Sequence, residues 1–357
     1  MTGISPRSLV LVPFLLLLGL ALGAPTASAD DMLGISGSTA YSASSYGSLR
    51  PTIYARNLNS LKRKPIAIAD GYVSSEESAS SAIGVALTSA DARETSLTLF
   101  KRNHSWVTID LVKGSECPEI EGPAPVEHSL VPLSLADNGT ITFIKRSAST
   151  GCAFQLFRKK LHDLARPVWM PPDTGPLVDY ATIEVKGDLV LLSKAFWQAS
   201  RPPIVFNWRS ARILYTVPES LAGFYRIHLA TSGELGLTYI AGSDSSAVRV
   251  SLKTGKSRRF EFPHRAEPRF CGPLTFFGGR RLVKVYDADG ETLYRHLTGK
   301  IAVSGFEAMC SSQYAYYSGT KTAGAKPVSH DYVLSLSKFR TRRINPLDLR
   351  SQPITRP

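Results

Sequence analysis

The sequence predicts an all-β chain made of one repeated four-stranded unit. Three observations carry that reading. Almost nothing after residue 30 has helical period, and "HDLARPVWM" and "PESLAGFYRI" are the only stretches where a helical turn fits among the prolines. Short alternating runs dominate instead, punctuated by Gly, Ser, Asp and Pro. Finally, a polar-tipped hairpin is written twice, as "VRVSLKTGKSRRFEF" at 248–262 and as "TLYRHLTGKIAV" at 292–303.

The repeat has a period of about 45 residues. Its second strand aligns first: "STAYSAS" (38–44), "AIGVALTSA" (82–90), "GTITFIKRS" (139–147), "DLVLLSKAF" (188–196), "ELGLTYIAG" (234–242), "RLVKVYD" (281–287) and "QYAYYSG" (313–319). A third strand follows each, from "TIYARNLNS" to "DYVLSLSKF". A shorter fourth closes the unit, as in "WVTIDL" and "RRFEF", and on this reading "KIAVS" (300–304) does the same after a Thr-Gly-Lys turn. Inner strands such as "HSLVPLSL", "YATIEVKG" and "YRIHLATS" precede the second strands, with the small and β-branched residues that a crowded centre needs. A small sheet with no helix to cover it must bury its faces against neighbouring sheets, and radial repetition does this. The expected fold is therefore a β-propeller of seven four-stranded blades. A pair of β-sandwiches also uses short strands, but the common four-strand unit favours the ring.

Residues 1–29 are set apart from this domain. Arg7 is the positive side chain of a short n-region, Leu9–Leu22 is nearly all apolar, and Ala27 and Ala29 form an A-x-A pattern. This is the pattern of a secretory signal peptide cut after Ala29. Residues 30–345 are then one propeller domain and 346–357 a C-terminal tail, in a secreted or periplasmic protein with no transmembrane segment. The expected mature chain keeps 41 Lys and Arg against 29 Asp and Glu, because the leader removes Arg7 alone from the charged residues. Such a charge draws a protein to polyanions, and it also serves solubility.

The four cysteines suit an exported chain with two disulfides, and none forms a CxxC pair. Cys117 and Cys152 fall on one face of neighbouring units, within reach of each other. Cys271–Cys310 is the second expected bridge. The strand register opposes it, with Cys271 opening one inner strand and Cys310 ending the next.

The units resemble blades of the exported TolB-like and quinoprotein-like β-propellers, whose outer turns often read strand-TG-K-strand. The resemblance spans about residues 32–345 and is one of fold. The Gly-His and Trp-Asp marks of WD blades are absent, and the double Gly of kelch blades occurs once, in "FFGGRRLVKVY". Trp106, Trp169, Trp197 and Trp208 do not recur in register, so no quinone cofactor is expected, nor any other.

Alternating strand direction sorts the charges onto two faces. The turns between third and fourth strands hold Lys or Arg in every unit, most densely Lys256, Arg258 and Arg259 in the fifth and Arg340, Arg342 and Arg343 in the seventh. Those six residues are the candidate ligand surface. Protection of exposed sheet edges accounts for recurrent Lys equally well. The opposite face collects acids, among them Glu119, Glu121, Asp173, Glu219 and Asp287. Its most unusual segment is the Pro-stiffened link 113–129, where any ligand mouth is expected.

Other motifs have plainer readings. "DADGE" (287–291) lacks the later ligands of a calcium loop and reads as an Asp-Gly turn. Asn103 and Asn138 head glycosylation sequons. There is no GxSxG elbow and no HExxH pair, and no metal site is expected. His128 and His228 belong to inner strands, where a hydrogen-bonded rim role is commoner than catalysis. Two functions remain. The first is a monomeric, non-catalytic binding module for a protein or polyanionic envelope ligand, without specific nucleic-acid recognition. The second is a propeller hydrolase or lyase acting at the acidic channel mouth.

Overall fold

The computed structural model describes residues 31–344, apart from 45–49, 70–71, 81–82, 91–93, 114–116, 118–128, 173, 178–179, 195–201, 222–225, 232, 242–243, 264–266, 288–291, 303–307, 312, 322–327 and 339. The expected leader, the tail and most of the acidic link lie outside these residues.

The first sheet is β1 (Asp31–Ser36), β2 (Thr39–Ala43), β3 (Thr52–Asn57) and β4 (Arg63–Ile68). The second is β5 (Tyr72–Ser80), β6 (Gly84–Ala90), β7 (Glu94–Lys101) and β8 (Trp106–Lys113). The third is β9 (Leu130–Leu135), β10 (Thr140–Arg146), β11 (Phe154–Lys160) and the two-residue β12 (Arg166–Pro167). The fourth is β13 (Tyr180–Lys186), β14 (Leu189–Lys194), β15 (Ile204–Asn207) and β16 (Arg212–Thr216). The fifth is β17 (Arg226–Thr231), β18 (Glu234–Ala241), β19 (Asp244–Ser251) and β20 (Ser257–Pro263). Each is antiparallel, with its strands in chain order. Of the two stretches where a helical turn would fit, "PESLAGFYRI" holds a single 3-10 turn, Glu219–Leu221, and "HDLARPVWM" holds β12.

The sixth sheet corrects the expected count. It joins seven strands: β21 (Glu267–Cys271), β22 (Leu274–Tyr286), β23 (Thr292–Ala302), β24 (Ala308–Cys310), β25 (Tyr314–Lys321), β26 (Val328–Ser335) and β27 (Arg340–Ile344). The molecule is an all-β propeller of four-stranded blades, and the described residues form six sheets rather than the expected seven. The cause lies in the second copy of the hairpin. Thr298-Gly299-Lys300 does not turn. β23 runs through it, pairing Leu297 with Leu282 and Ala302 with Arg280, and Ala302 also pairs with Thr320 of β25. The first copy folds as read, with Ser251 N–H donating to Lys256 O at 2.9 Å across the turn.

The core lies between sheets. Leu33, Tyr41 and Ile53 pack on Val85, Leu87 and Phe100 between the first and second sheets. Leu97, Leu99 and Ile109 meet Ile141 and Phe143 between the second and third. The third and fourth share Ile144, Leu156, Val190 and Phe206, and the fourth and fifth share Leu191, Val205, Leu235 and Val250. A second strand is therefore covered on both faces. This explains why Leu189–Leu192 is an unbroken apolar run, all of it buried, where a half-exposed strand would alternate.

The ring closes without exchange of strands, since β1 stays with β2–β4. Inner strands touch in the order β1, β5, β9, β13, β17, β21, β24 and back to β1. At the join, Tyr314, Tyr316 and Val333 pack on Ala40 and Leu58. Ser311 Oγ donates to Gly37 O at 2.6 Å, and Tyr314 Oη donates to Asn59.

Cys117 and Cys152 are joined, with Cα atoms 5.6 Å apart. The bridge ties the link between the second and third sheets to the β10–β11 turn, and crosslinks of such loop length stabilise by about 3–4 kcal/mol. Cys271 is also disulfide-bonded. It ends β21 instead of opening it, and Cys310 likewise ends β24. The two cysteines thus close neighbouring inner strands, so the register objection to their pairing falls away.

Candidate functional site

The turns after the first and third strands share one face, as the charge sorting requires. In each of five units the residue just past the third strand donates its N–H to the turn between the first two. The pairs are Leu58 to Ser38 O, Arg102 to Ile83 O, Trp208 to Asp188 O, Leu252 to Gly233 O and Leu336 to Gln313 O, at 2.8–3.1 Å. These bonds fix the outer turns rigidly to the blades.

Three of the outer turns are one six-residue structure written in different residues: Asn57–Lys62, Asn207–Arg212 and Ser251–Lys256. The leading Asn57 accepts the N–H groups of Asn59 and Ser60 at 2.9 and 3.0 Å, and Asn207 accepts those of Arg209 and Ser210 at 3.0 and 2.9 Å. Ser251 Oγ accepts Thr254 N–H at 3.3 Å in the same role. The fifth residue is left-handed in all three: Leu61 at φ 59°, Ala211 at 52° and Gly255 at 67°. Only glycine adopts this without steric cost, which is about 1–2 kcal/mol for other residues. The sixth residue is basic each time, as Lys62, Arg212 and Lys256.

Lys256, Arg258 and Arg259 are exposed on one hairpin, with the Arg258 guanidinium 5.7 Å from the Phe260 ring centre. Arg340, Arg342 and Arg343 belong to β27, opposite Ser335, Val333 and Tyr332 of β26, and their side chains are outside the description. The structure keeps Lys256, Arg258 and Arg259 at the start of β20 and Arg340, Arg342 and Arg343 on β27, in different sheets, and does not gather the six at one point. Lys62, Lys64, Arg102, Lys160, Arg209, Arg212, Lys253 and Lys338 are exposed as well. Of the acids named for the opposite face, Glu219 is described and exposed, and Asp287 is half-buried. Glu119, Glu121 and Asp173 lie outside the described residues.

A second constellation sits at the inner edge of the ring. Leu229 of β17 turns its N–H away from β18, and Glu184 of β13 accepts it at 2.7 Å. The other Glu184 oxygen meets His228 Nδ1. Lys186, two residues on and so on the same side of β13, donates to Leu229 O and Ala230 O at 3.1 and 2.9 Å. Burial pushes the Lys186 ammonium below the usual lysine range, Glu184 opposes the shift and Arg249 adds to it. The carboxylate selects the tautomer with the proton on Nδ1, which leaves Nε2 without a protein partner among the described residues. His228 and Glu184 are 34% and 30% exposed, so solvent reaches the pair. The sequence reading found His228 and missed Glu184 and Lys186. The overlooked signal was a Glu-x-Lys pair inside an inner strand otherwise expected to be small and β-branched.

Polar bonds elsewhere join blades. Arg249, 4% exposed, donates to Glu234 at 2.6 Å, Thr275 at 3.0 Å, Gly272 O at 2.8 Å and Leu274 O at 2.7 Å, linking the fifth and sixth sheets. Its burial lowers its basicity and Glu234 restores part of it. Tyr41 donates to Ser80 O at 3.0 Å, and Ser80 Oγ donates to Asp137. Burial, with Arg102 opposing and Asp137 adding, pushes the Tyr41 phenol up to about 12. Among the described residues no three His, Cys, Asp or Glu cluster as metal ligands, and no helix is long and apolar enough to cross a membrane.

No protein-family model matches the chain, and no curated protein matches it in sequence. Solved structures do match. A puromycin-hydrolyzing peptidase of Mycobacterium tuberculosis aligns with 91% of this chain and 54% of its own, at 11% identity and TM-score 0.56. TolB from Acinetobacter baumannii aligns over 72% of this chain and 62% of its own, at 13% identity and TM-score 0.46. The β-propeller domain of the Trilobed protease from Pyrococcus furiosus covers 88% of this chain and 98% of its own, at 9% identity and TM-score 0.47. The chain thus spans about half the length of the peptidase and under two thirds of TolB. Similarity this distant is one of fold alone, and the fold of this chain is an all-β propeller of four-stranded blades.

Proposed function

We propose that this protein is an exported, monomeric, non-catalytic propeller that holds a polyanionic or acidic protein ligand on the basic turns of one face. One observation carries the reading. Basic residues occupy the outer turns even where the following strand needs no charge. In the fourth unit Arg209 and Arg212 are exposed in the turn, yet the edge strand continues as Ile213 and Leu214, both exposed. Edge protection would charge the strand and leave the turn optional. Repetition of one turn geometry with a basic sixth residue supports selection of the turn itself.

Single exposed charges contribute little, and charges further apart than the Debye length of about 8 Å do not reinforce one another. An extended ligand touching several blades sums them by releasing counterions. The test is retention on a heparin column. Changing Lys253, Lys256, Arg258 and Arg259 to Glu should lower the eluting salt concentration sharply. Unchanged retention of the folded variant would reduce the turns to solubilising charge.

Export rests on the leader-like residues 1–29 and is supported by the Cys117–Cys152 bridge. The secreted protein should begin at Asp30, as N-terminal mass analysis reads. We take Cys310 as the partner of Cys271, which peptide mapping without reduction checks. We also read the seven-stranded sheet as two blades that meet at the single Ala302–Thr320 pair. That gives a seven-bladed ring over residues 30–345, with 346–357 as a tail.

The second reading, a hydrolase or lyase at the channel, is favoured by one feature. Glu184 orients His228 as the carboxylate of a general-base dyad does. Turnover in a panel of chromogenic esters, glycosides and peptides, abolished by His228→Ala, would establish it in place of the binding module.

A further inference from the structure

Every described outer strand except β16 is shortened, charged or covered. β12 has two residues, and one of them is proline. β4 begins Arg63-Lys64-Pro65, β20 carries Arg258 and Arg259, and β27 carries Arg340, Arg342 and Arg343. β8 leaves Trp106 and Leu111 exposed at 65% and 37%, but its middle is covered from the third sheet, where Lys145 meets Asp110 at 2.9 Å and Lys159 donates to Ile109 O at 2.6 Å. β23 passes into β25.

β16 has none of these devices. It runs Arg212-Ile213-Leu214-Tyr215-Thr216 and pairs only with β15, on one side. Ile213 is 51% exposed and Leu214 is 43% exposed. A bulge opposite Val205 and Phe206 leaves Leu214 without a cross-strand partner and puts two consecutive apolar side chains in solvent. Only the N-terminal end is charged, by Arg212 and by Arg209, which reaches Asp188 at 3.3 Å.

We propose that β16 is a strand-addition site, at which an extended segment of a partner protein pairs as a fifth strand. The open edge supplies backbone donors and acceptors, and Ile213 and Leu214 supply apolar side-chain contact. The segment it fits is five or six residues long and alternates β-branched residues with small polar ones. It carries Asp or Glu at the end lying beside Arg209 and Arg212. A second copy of this chain is the poorer occupant, because the net charge of +13 opposes self-association while an acidic segment is drawn in. The site shares Arg209 and Arg212 with the basic turns, but the turns of the other units lie apart from it, so its failure leaves the polyanion surface tested at Lys253, Lys256, Arg258 and Arg259 untouched.

The probe is a synthetic, end-blocked peptide of alternating Val and Thr with two Glu at one terminus, followed by fluorescence anisotropy. Saturable binding is expected. The double variant Ile213→Lys, Leu214→Lys, which gives β16 the charge that β20 has, should weaken it about tenfold or more, near 1.4 kcal/mol. Lys253→Glu, Lys256→Glu in the fifth unit should change it less than about twofold. Hydrogen exchange on the unaltered protein gives a second reading: saturating peptide should protect amides of 212–216. No saturable binding, equal binding by the folded lysine variant, or protection elsewhere but not at β16 overturns the proposal. So does a wild-type dimer in sedimentation that the lysine pair dissociates, since the occupant is then a second copy.

Discussion

The outer strands of the fourth and fifth units, β16 and β20, occupy the same place in consecutive sheets and present opposite surfaces. The strands beneath them are alike. β15 buries Val205 toward the fifth sheet and Phe206 toward the third, and β19 buries Val248 and Ala247 on its two sides. Both outer strands follow the same six-residue turn with a basic last residue, Arg212 or Lys256. β16 then exposes Ile213 and Leu214, whereas β20 exposes Arg258 and Arg259. Packing therefore does not select the outward residues of a fourth strand. Interblade burial stabilises the ring, and the outermost surface is left to solubility and binding.

The largest expected effect is on the shared core. Phe206→Ala removes a fully buried ring from beneath β16 and should cost about 3–5 kcal/mol in chemical denaturation. A loss below about 1 kcal/mol would mean that the blades do not depend on one another as their packing implies. Beneath β20 the test is Arg249→Met. Deleting this guanidinium leaves Glu234, Gly272 O and Leu274 O without their donor and should cost about 3 kcal/mol. Glu234→Gln should cost less, since that carboxylate is partly exposed.

Tyr41, remote from both edges, is the internal reference for pH. Its phenol ionises near 10 in the unfolded chain and is held up to about 12 in the fold. A raised folded pKa gives stability that is complete below pH 10 and is lost as pH climbs through about 12, amounting to about 2–3 kcal/mol. Denaturation midpoints should fall across that window, and Tyr41→Phe should flatten the slope. An unchanged slope would assign the alkaline loss to other groups.

The smallest stability effects fall on the two strands themselves and sharpen the contrast. Exchanging their outward residues, Ile213→Lys with Leu214→Lys or Arg258→Leu with Arg259→Leu, should move stability by less than about 0.5 kcal/mol. The first exchange should raise the salt needed to elute the protein from heparin, and the second should lower it. Aggregation of the second variant at low salt, abolished by restoring either Arg, would identify those residues as edge protection.

Much of this molecule is determined locally. Alternation and turn residues placed the strands, because side-chain period and turn chemistry act over a few residues. The inner strands near 130, 180 and 226 and the reach between Cys117 and Cys152 all follow from such signals. The tertiary structure alone decided the rest. Thr298-Gly299-Lys300 has the residues of a turn, but it lies inside β23 at a register shift between the paired residues Leu297 and Ala302, and Ala302 also pairs with β25, so that two units share a sheet. Arg249 looks like an exposed strand residue until Glu234, Thr275 and two carbonyls from the next sheet surround it. Glu184 and His228 stand 44 positions apart and meet only because consecutive inner strands are neighbours in the ring. Period and turn chemistry specify where a strand begins, ends and faces. Which side chains meet across two blades depends on the register and approach of separate sheets, set by the burial of every interface together.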